Sequence, residues 1–175
     1  MSLPSLRTVL TADQIQKRVR DLGRQISDDY RGKTIHAVCI LENGFMFMAD
    51  LARSLDVPVV CQFIKPFTSS KTENSVETTE IFYSPEADVE GKDVLLVEAV
   101  LHSGVTTDFV IRNMLTRGAS SVKVATMLDR HSQRRVPLQP DYFGFLVDDA
   151  FLVGYGLGSP DLYRNLPFMA AYPAK

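Results

Sequence analysis

The sequence predicts an α/β protein with a mainly parallel, twisted sheet that is flanked by helices. Two observations support this fold class. Short continuous apolar runs, such as residues 35–41 and 93–98, are typical of parallel strands covered on both faces. These runs alternate with segments of helical periodicity, and such alternation favours right-handed parallel crossovers. The length of 175 residues suits one domain, so we expect a single domain over residues 1–175.

The first half of the chain alternates between helix and strand. Thr11 and Gln14 have the spacing of a capping box, which predicts that a helix begins there. Its apolar face would consist of Ile15, Val19, Leu22 and Ile26. Gly32 closes this region. We then expect a strand at residues 35–41, a helix at 45–55 and a second buried strand at 57–63.

The second half begins with a segment of different composition. Residues 65–75 are rich in Ser, Thr, Asn and Lys, which predicts a flexible loop. After it we expect a strand at 77–83, a turn-rich connector at 85–92, the most central strand at 93–98, a helix at 106–117 ended by Gly118, and strands at 121–128, 142–147 and 151–153. Ligands of such sheets bind beyond the carboxyl ends of the strands, so we expect chemistry after Leu41, Phe63, Glu98 and Leu128.

Composition and charge exclude several classes of protein. The formal net charge is −2 and there is no basic stripe, which argues against a nucleic-acid partner. No apolar stretch approaches the ~20 residues of a membrane helix, and the N-terminus does not have the character of a secretory signal. We therefore expect a cytoplasmic protein. Cys39 and Cys61 lie in apolar runs and are expected to be reduced core thiols.

The loop after the central strand carries the most chemical information. A buried strand passes through small residues into a helix N-terminus, which presents backbone N–H groups and a positive dipole to an anion. Ser103, Thr106 and Thr107 add hydroxyl groups. The segment therefore fits a phosphate-binding loop, although a capped strand–helix junction would have a similar sequence.

Residues 94–107, VLLVEAVLHSGVTT, resemble the signature of type I phosphoribosyltransferases. That signature is an apolar strand, two acids, two apolar residues and Asp-Thr-Gly-x-Thr, and it binds phosphoribosyl pyrophosphate. The resemblance implies that Glu98 is the first of two ribose-binding acids. It also implies that Ser103, Gly104, Val105 and Thr106 form the loop that holds the 5′-phosphate. The fold implied is that of this family, with a small hood formed by about residues 1–10 and 148–175.

Two positions depart from the signature. Ala99 stands where the second acid is expected, and His102 stands where an Asp beside the purine N7 is expected. Ala99 removes a charge-assisted hydrogen bond worth roughly 1.5–3 kcal/mol. The reaction builds positive charge on the ribose carbon, so an anion at position 102 would help and an imidazolium would hurt. A neutral His102 could still exchange a proton with N7. We therefore expect His102 and Glu98 to be the catalytic candidates, with impaired or altered catalysis.

The resemblance extends to the pyrophosphate loop, residues 41–43. The family has Leu-Lys-Gly where this chain has Leu41, Glu42 and Asn43. A carboxylate at this position repels pyrophosphate, unless Glu42 is simply a solvated surface acid. Residues 65–72 occupy the place of a mobile loop that usually carries Ser-Tyr-Gly, and the Tyr is missing here.

The resemblance also implies base-binding and metal-binding residues. Arg130 matches the Lys that reaches the purine O6, although its geometry differs. Tyr142 would stack on the base, and the backbone of Phe143 would read the base edge; without the resemblance both would be ordinary core aromatics. Asp149 matches an acid that binds Mg²⁺ beside pyrophosphate, and Glu98 is the second candidate ligand.

The closing segment, residues 154–158 and 163–167, matches the family as well. Its glycines resemble a dinucleotide fingerprint, but they lack the last spacing and no βαβ unit follows. Arg164 is a candidate phosphate contact or a structural residue. No spacing suggests zinc, so His36 and His131 are interpreted as structural. Three arginines, at positions 130, 134 and 135, are expected on a solvated face unless they meet a phosphate or a partner subunit.

Three functions remain open. The leading one is a purine phosphoribosyltransferase of the hypoxanthine-guanine type, with phosphoribosyl pyrophosphate and a 6-oxopurine or purine nucleotide as ligands. The family implies a homodimer or homotetramer. The second is a catalytically inactive nucleotide-binding or regulatory homologue. The third is an enzyme that uses His102 on a different base or sugar phosphate.

Overall fold

A computed structural model describes residues 6–71, 76–83, 88–147, 151–158 and 162–172. In chain order, its strands are β1 (Arg7–Leu10), β2 (Ile35–Ile40), β3 (Val59–Lys71), β4 (Val76–Tyr83), β5 (Asp93–Leu101), β6 (Ser121–Asp129), β7 (Tyr142–Leu146), β8 (Leu152–Val153) and β9 (Met169–Ala171). The helices are α1 (Ala12–Asp29), α2 (Phe45–Arg53) and α3 (Val105–Thr116), and a short 3₁₀ turn covers His131–Gln133.

The larger sheet confirms the expected fold class. Its strand order is β4-β3-β2-β5-β6-β7, and every neighbouring pair from β3 to β7 is parallel. β4 is an antiparallel edge strand. β5 pairs with β2 on one side and β6 on the other, as expected of the most apolar strand. This order brings the carboxyl ends of β2, β5 and β6 together at one edge of the sheet.

The smaller sheet joins the two ends of the chain. Its order is β1-β9-β8, with antiparallel pairing throughout, and it forms the hood that the fold class implies. The sequence did not predict β1 or β9 as strands. Each has only three or four residues, which is too short for a period-two pattern to stand out.

The core lies on both faces of the larger sheet. One cluster packs beneath α1 and α2 and includes Ile15, Leu22 and Phe47. A second cluster lies beneath α3, around Val110 and Met114. The predicted capping box of α1 is present, with Thr11 accepting from the Gln14 amide at 3.3 Å. Within the described helices, none is long and apolar enough to cross a bilayer.

The prediction of a loop at residues 65–75 was wrong for its first part. β3 continues to Lys71 and pairs with β4 from Ile64↔Tyr83 to Lys71↔Val76. Antiparallel pairing is made by backbone groups, and a Thr- and Ser-rich strand can satisfy it without an apolar face. Residues 72–75 and the side chains of Ser69 and Ser70 lie outside the described part of the structure.

Two smaller predictions also change. β5 extends beyond Glu98 to Leu101, so Ala99 lies in the strand and not in the loop. Cys39 is buried as expected, but Cys61 is exposed and is not a core thiol. On β3, Gln62 and Ile64 face inward, whereas Cys61 and Phe63 lie on the opposite, uncovered face. An apolar run can therefore include positions that are not covered.

Candidate active site

A cavity of about 280 Å³ lies at the edge where the carboxyl ends of β2, β5 and β6 meet the hood. Its polar lining contains one amide, one imidazole and one guanidinium group. The lining residues are Asn43, Val100, His102, Arg130, Phe151, Leu152, Leu157 and Gly158. We call this space the base cavity, because it is lined by Arg130, which the sequence resemblance nominates as a base-binding residue. It brings together His102, Arg130 and Asn43, three residues that the sequence nominated from three separate segments.

A larger open groove of about 600 Å³ lies between α1 and α2. It is lined by residues of these helices and of the segment before β3, and none of its lining residues follows the carboxyl end of a sheet strand. Ligands of parallel sheets bind where the loops after several strands converge. The base cavity, although smaller, therefore has the position of an active site.

The phosphate loop, residues 103–106, leads directly into α3. Gly104 is the N-cap residue with φ +78° and supplies no side-chain cap, while the Val105 amide donates to the neighbouring Ser103 hydroxyl at 3.4 Å. A Cβ at Gly104 would lie 2.9 Å from Cγ2 of Val136, so both conformation and space require glycine. Val105 and Thr106 are exposed. An accessible helix N-terminus whose N-cap residue has no side chain is suited to an anion, which favours the phosphate-binding interpretation over a capped junction.

The segment after β6 supports the phosphate loop through hydrogen bonds to its backbone. Nη1 of Arg134 donates to the carbonyl oxygen of His102 at 2.8 Å, and the Arg135 amide donates to the carbonyl of Ser103 at 2.9 Å. Arg134 also pairs with Asp129, and the two side chains are only 8% and 6% exposed. The expectation of a solvated face was therefore wrong for Arg134, because this side chain turns inward to support the loop.

Glu98 faces α3 and not the base cavity. Its side chain accepts from the hydroxyl of Thr107 at 3.1 and 3.2 Å and is almost fully buried. Burial raises the pKa of Glu98 to about 8, against opposing effects of the Thr107 hydrogen bond and the charge of Arg134; Asp129 adds to the rise. In this arrangement the carboxyl group is occupied within the protein and is not directed at a ribose or a metal ion. Thr107, nominated as a ligand donor, is likewise occupied.

Ala99 points to the opposite face of β5. It is 2% exposed and belongs to the core beneath α1 and α2. The next residue, Val100, lines the base cavity. The absence of an acid at position 99 is therefore matched by an apolar environment.

Tyr142 and Phe143 do not lie where a purine would stack in the base cavity. Tyr142 is 2% exposed, and its hydroxyl donates to Asp29 at the end of α1, at 2.7 Å. The carbonyl of Phe143 accepts from Arg18, also on α1. A stacking role for Tyr142 is inconsistent with this position, because the ring is enclosed in the core on the α1 side of the sheet.

Phe151 is the aromatic residue that the structure brings to the base cavity. It is 53% exposed and lies next to Leu152, which also lines the cavity. Sequence reasoning treated this pair only as part of a short strand. The available signal was an aromatic residue directly before the hood glycines. The first of those glycines begins a tight turn, in which the Gly154 amide donates to the carbonyl of Leu157 at 2.9 Å, and it also lies against the backbone of Phe168: a Cβ at Gly154 would lie 2.0 Å from that residue's carbonyl oxygen.

The described residues do not form a metal site by themselves. No group of three His, Cys, Asp or Glu side chains among them could hold a metal ion. Asp149, the nominated Mg²⁺ ligand, lies outside the described residues, and Glu98 is engaged by Thr107. His36 and His131, interpreted as structural, do not line the base cavity, and burial is the main cause that lowers the pKa of His36.

The pyrophosphate loop lies beside the base cavity, and the negative charge of its Glu42 has two cations nearby. Glu42 forms a 2.9 Å ion pair with Lys65, and the hydrogen bond from this lysine lowers the pKa of Glu42. Arg164 of the hood lies 3.9 Å from Glu42, donates to the side chain of Asn43 and donates to the carbonyl of Gly156 at 2.7 Å. The peptide bond between Leu41 and Glu42 is cis.

Comparison with known proteins identifies the family. The phosphoribosyl transferase domain model matches residues 6–160. The hypoxanthine-guanine phosphoribosyltransferase of Bacillus subtilis is 32% identical over 163 residues, covering 93% of this chain and 91% of the relative. The corresponding protein of Mycobacterium avium is 34% identical and covers 92% of this chain and 82% of the relative.

Solved structures agree with this result. A hypoxanthine phosphoribosyltransferase from Staphylococcus aureus is 32% identical with a TM-score of 0.89, covering 95% of this chain and 91% of its own. A hypoxanthine-guanine phosphoribosyltransferase from Bacillus anthracis is 33% identical with a TM-score of 0.86, covering 94% and 95%. Because sequence and fold agree along nearly the whole chain, the protein belongs to the phosphoribosyltransferase family, among the members of the hypoxanthine-guanine type.

Proposed function

We propose that this protein transfers the phosphoribosyl group of phosphoribosyl pyrophosphate to a 6-oxopurine, as purine salvage requires, with impaired or altered catalysis. The observation that carries the proposal is the position of the base cavity directly beside the accessible N-terminus of α3, whose N-cap residue is Gly104. A flat base and a phosphate group of one nucleotide would then be bound by adjacent parts of the same edge of the sheet.

The lining of the base cavity suits a 6-oxopurine. Arg130 supplies N–H donors for an exocyclic oxygen, and Phe151 supplies an accessible ring for stacking. Val100 and Leu152 offer an apolar surface to the base. These contacts would orient the ring nitrogen that attacks the ribose.

The reaction breaks the bond between ribose C1′ and a pyrophosphate oxygen and forms a bond between C1′ and a purine nitrogen. The purine gives up one proton, and we assign its acceptance to His102, which lines the base cavity. Positive charge develops on the ribose in the transition state. In the described lining of the cavity no carboxylate is available to offset it, which is the physical basis for expecting a slow reaction.

We expect Mg²⁺ to be bound mainly by the phosphate groups of the substrate. Mg²⁺ prefers oxygen ligands and is commonly bound by one or two carboxylates together with substrate phosphates. The described residues alone do not supply a metal site. We therefore expect activity to depend on Mg²⁺ and to be abolished by EDTA, with pyrophosphate oxygens as the main ligands.

Turnover tests this proposal directly. Hypoxanthine or guanine is incubated with phosphoribosyl pyrophosphate and Mg²⁺, and nucleotide formation is followed for the wild-type protein and His102→Asp. We expect slow nucleotide formation by the wild type and a rate at least about tenfold higher for the variant, because one carboxylate then lies near the developing charge. His131→Asp is the matched control, since His131 is exposed outside the cavity. No nucleotide from either folded protein would refute the transferase proposal.

The burial of Glu98 and the apolar environment of Ala99 favour a second function, a nucleotide-binding protein without turnover. Such a protein would bind inosine or guanosine monophosphate, detected by calorimetry, and form no product. Homodimers or homotetramers are part of both proposals, and light scattering after size-exclusion chromatography measures the subunit number.

A further inference from the structure

The ion pairs around the pyrophosphate loop join three separate parts of the chain. Glu42 follows β2, Lys65 lies on β3 one residue beyond the parallel pairing of Ile64 with Ile40, and Arg164 comes from the hood. Lys65 is 2.9 Å from one carboxylate oxygen of Glu42, and Arg164 is 3.9 Å from the other. One carboxylate is therefore placed between two cations, immediately beside the base cavity.

The balance of charge at this cluster favours an anion. Two cations and one carboxylate leave a net positive charge. Glu42 and Lys65 are both more than half exposed, so their pairing is weak and can be exchanged for contacts with a ligand. An anion with several negatively charged oxygens attracts Lys65 and Arg164 more strongly than a single carboxylate does.

We propose that Lys65 is a pyrophosphate-binding residue, that Arg164 assists it, and that the carboxylate of Glu42 holds both cations in the free protein and yields them to the pyrophosphate group of the substrate. Lys65 thereby provides the charge that position 42 lacks, from the neighbouring strand. Glu42 acts as an internal competitor of the ligand and sets its affinity. This inference rests on the proposed function, since it assigns a role within the same site.

Calorimetric titration with inorganic pyrophosphate, at fixed ionic strength and with and without Mg²⁺, tests the proposal without requiring turnover. The proteins are the wild type, Glu42→Gln, Lys65→Gln and the double variant. Asp28→Asn is the matched control, because Asp28 also pairs with an exposed arginine, Arg31 at 2.7 Å, but on α1. Thermal unfolding of each variant verifies that the fold is retained.

We expect Glu42→Gln to bind pyrophosphate roughly fivefold more tightly and Lys65→Gln roughly fivefold more weakly than the wild type. The gain from Glu42→Gln should largely disappear when Lys65 is also replaced, since the competition acts through that lysine. Asp28→Asn should leave the affinity unchanged. The inference is overturned if Glu42→Gln does not tighten binding, if its gain persists without Lys65, or if neither the wild type nor Glu42→Gln binds pyrophosphate. Binding with these differences but without nucleotide formation would refute the transferase function alone.

Discussion

The hydroxyl of Thr107 on α3 donates to the buried carboxyl group of Glu98 on β5, at 3.1 and 3.2 Å from its two oxygens. This contact links the strand to the helix that begins at the phosphate loop. A residue that the family resemblance places at the ribose is thereby held within the protein. Its ionisation should affect stability more directly than ligand binding.

We expect Glu98 to make the protein less stable as the pH rises. The pKa of Glu98 is about 8 in the folded state, against 4.5 for an ordinary glutamate. Below pH 4.5 the carboxyl group is protonated in both the folded and the unfolded state, and the free energy of unfolding has its highest value with respect to this group. Between pH 4.5 and about 8 the unfolded state releases its proton first, so the free energy of unfolding falls and then levels off.

Glu98→Gln removes this titration and should flatten the pH dependence. Urea unfolding at pH 5.5 and pH 8.5 measures the effect, with exposed Glu90→Gln as the control. We expect the variant to gain about 1–3 kcal/mol relative to the wild type on going from the lower to the higher pH. Parallel pH profiles for wild type and Glu98→Gln would contradict the assignment.

Ala99→Asp should damage the fold instead of restoring a ribose-binding acid. The side chain is 2% exposed in the core beneath α1 and α2, so a carboxylate there would be buried without a partner. We expect a loss of stability of several kcal/mol, on the order of 2–5, seen as a lower unfolding temperature. His102→Asp, in an exposed position, should leave this temperature nearly unchanged. Equal unfolding temperatures for Ala99→Asp and the wild type would show that position 99 opens towards the ligand.

The sequence could predict those features that depend on a long, regular pattern. The apolar run of β5 and the stripe of α1 are examples, because burial on both faces or on one face leaves a clear periodicity. The hairpin of β3 and β4 could not be predicted in this way, since its pairing is made by backbone groups.

Side-chain direction at the site was harder to predict. Glu98 and Ala99 are neighbours on a strand and therefore face opposite sides, but which side meets the cavity depends on how α3 packs. The sequence named Tyr142 as the stacking residue and did not consider Phe151, for the same reason. Both are aromatic residues in or next to predicted strands, and only the docking of the hood brings one of them to the cavity.

Replacing Phe151 and Tyr142 should separate ligand binding from stability. Phe151→Ala removes an exposed ring from the base cavity, and we expect roughly tenfold weaker binding of a purine nucleotide with little change in unfolding temperature. Tyr142→Phe removes the 2.7 Å hydrogen bond to Asp29, so it should lower stability by about 1 kcal/mol and leave nucleotide affinity unchanged. Calorimetry and thermal unfolding of both variants measure the two effects. Unchanged nucleotide affinity in Phe151→Ala would refute the stacking role of Phe151.

Arg134 should be essential for holding the phosphate loop, since it is the cation of a buried ion pair and also binds the backbone at His102. Arg134→Met leaves the carboxylate of Asp129 buried without its cation, which typically costs about 3–5 kcal/mol. Adding Asp129→Asn should recover part of this loss, because the uncompensated charge is removed.

Phosphate affinity should remain low in the double variant, since the carbonyl of His102 still lacks its donor and the loop is no longer held. Urea unfolding measures the change in stability, and calorimetry with inorganic phosphate measures the change in phosphate affinity. Arg135→Met serves as the control, because Arg135 contacts the loop through its backbone amide, which this substitution retains. Wild-type phosphate affinity in the double variant would show that the loop keeps its shape without Arg134.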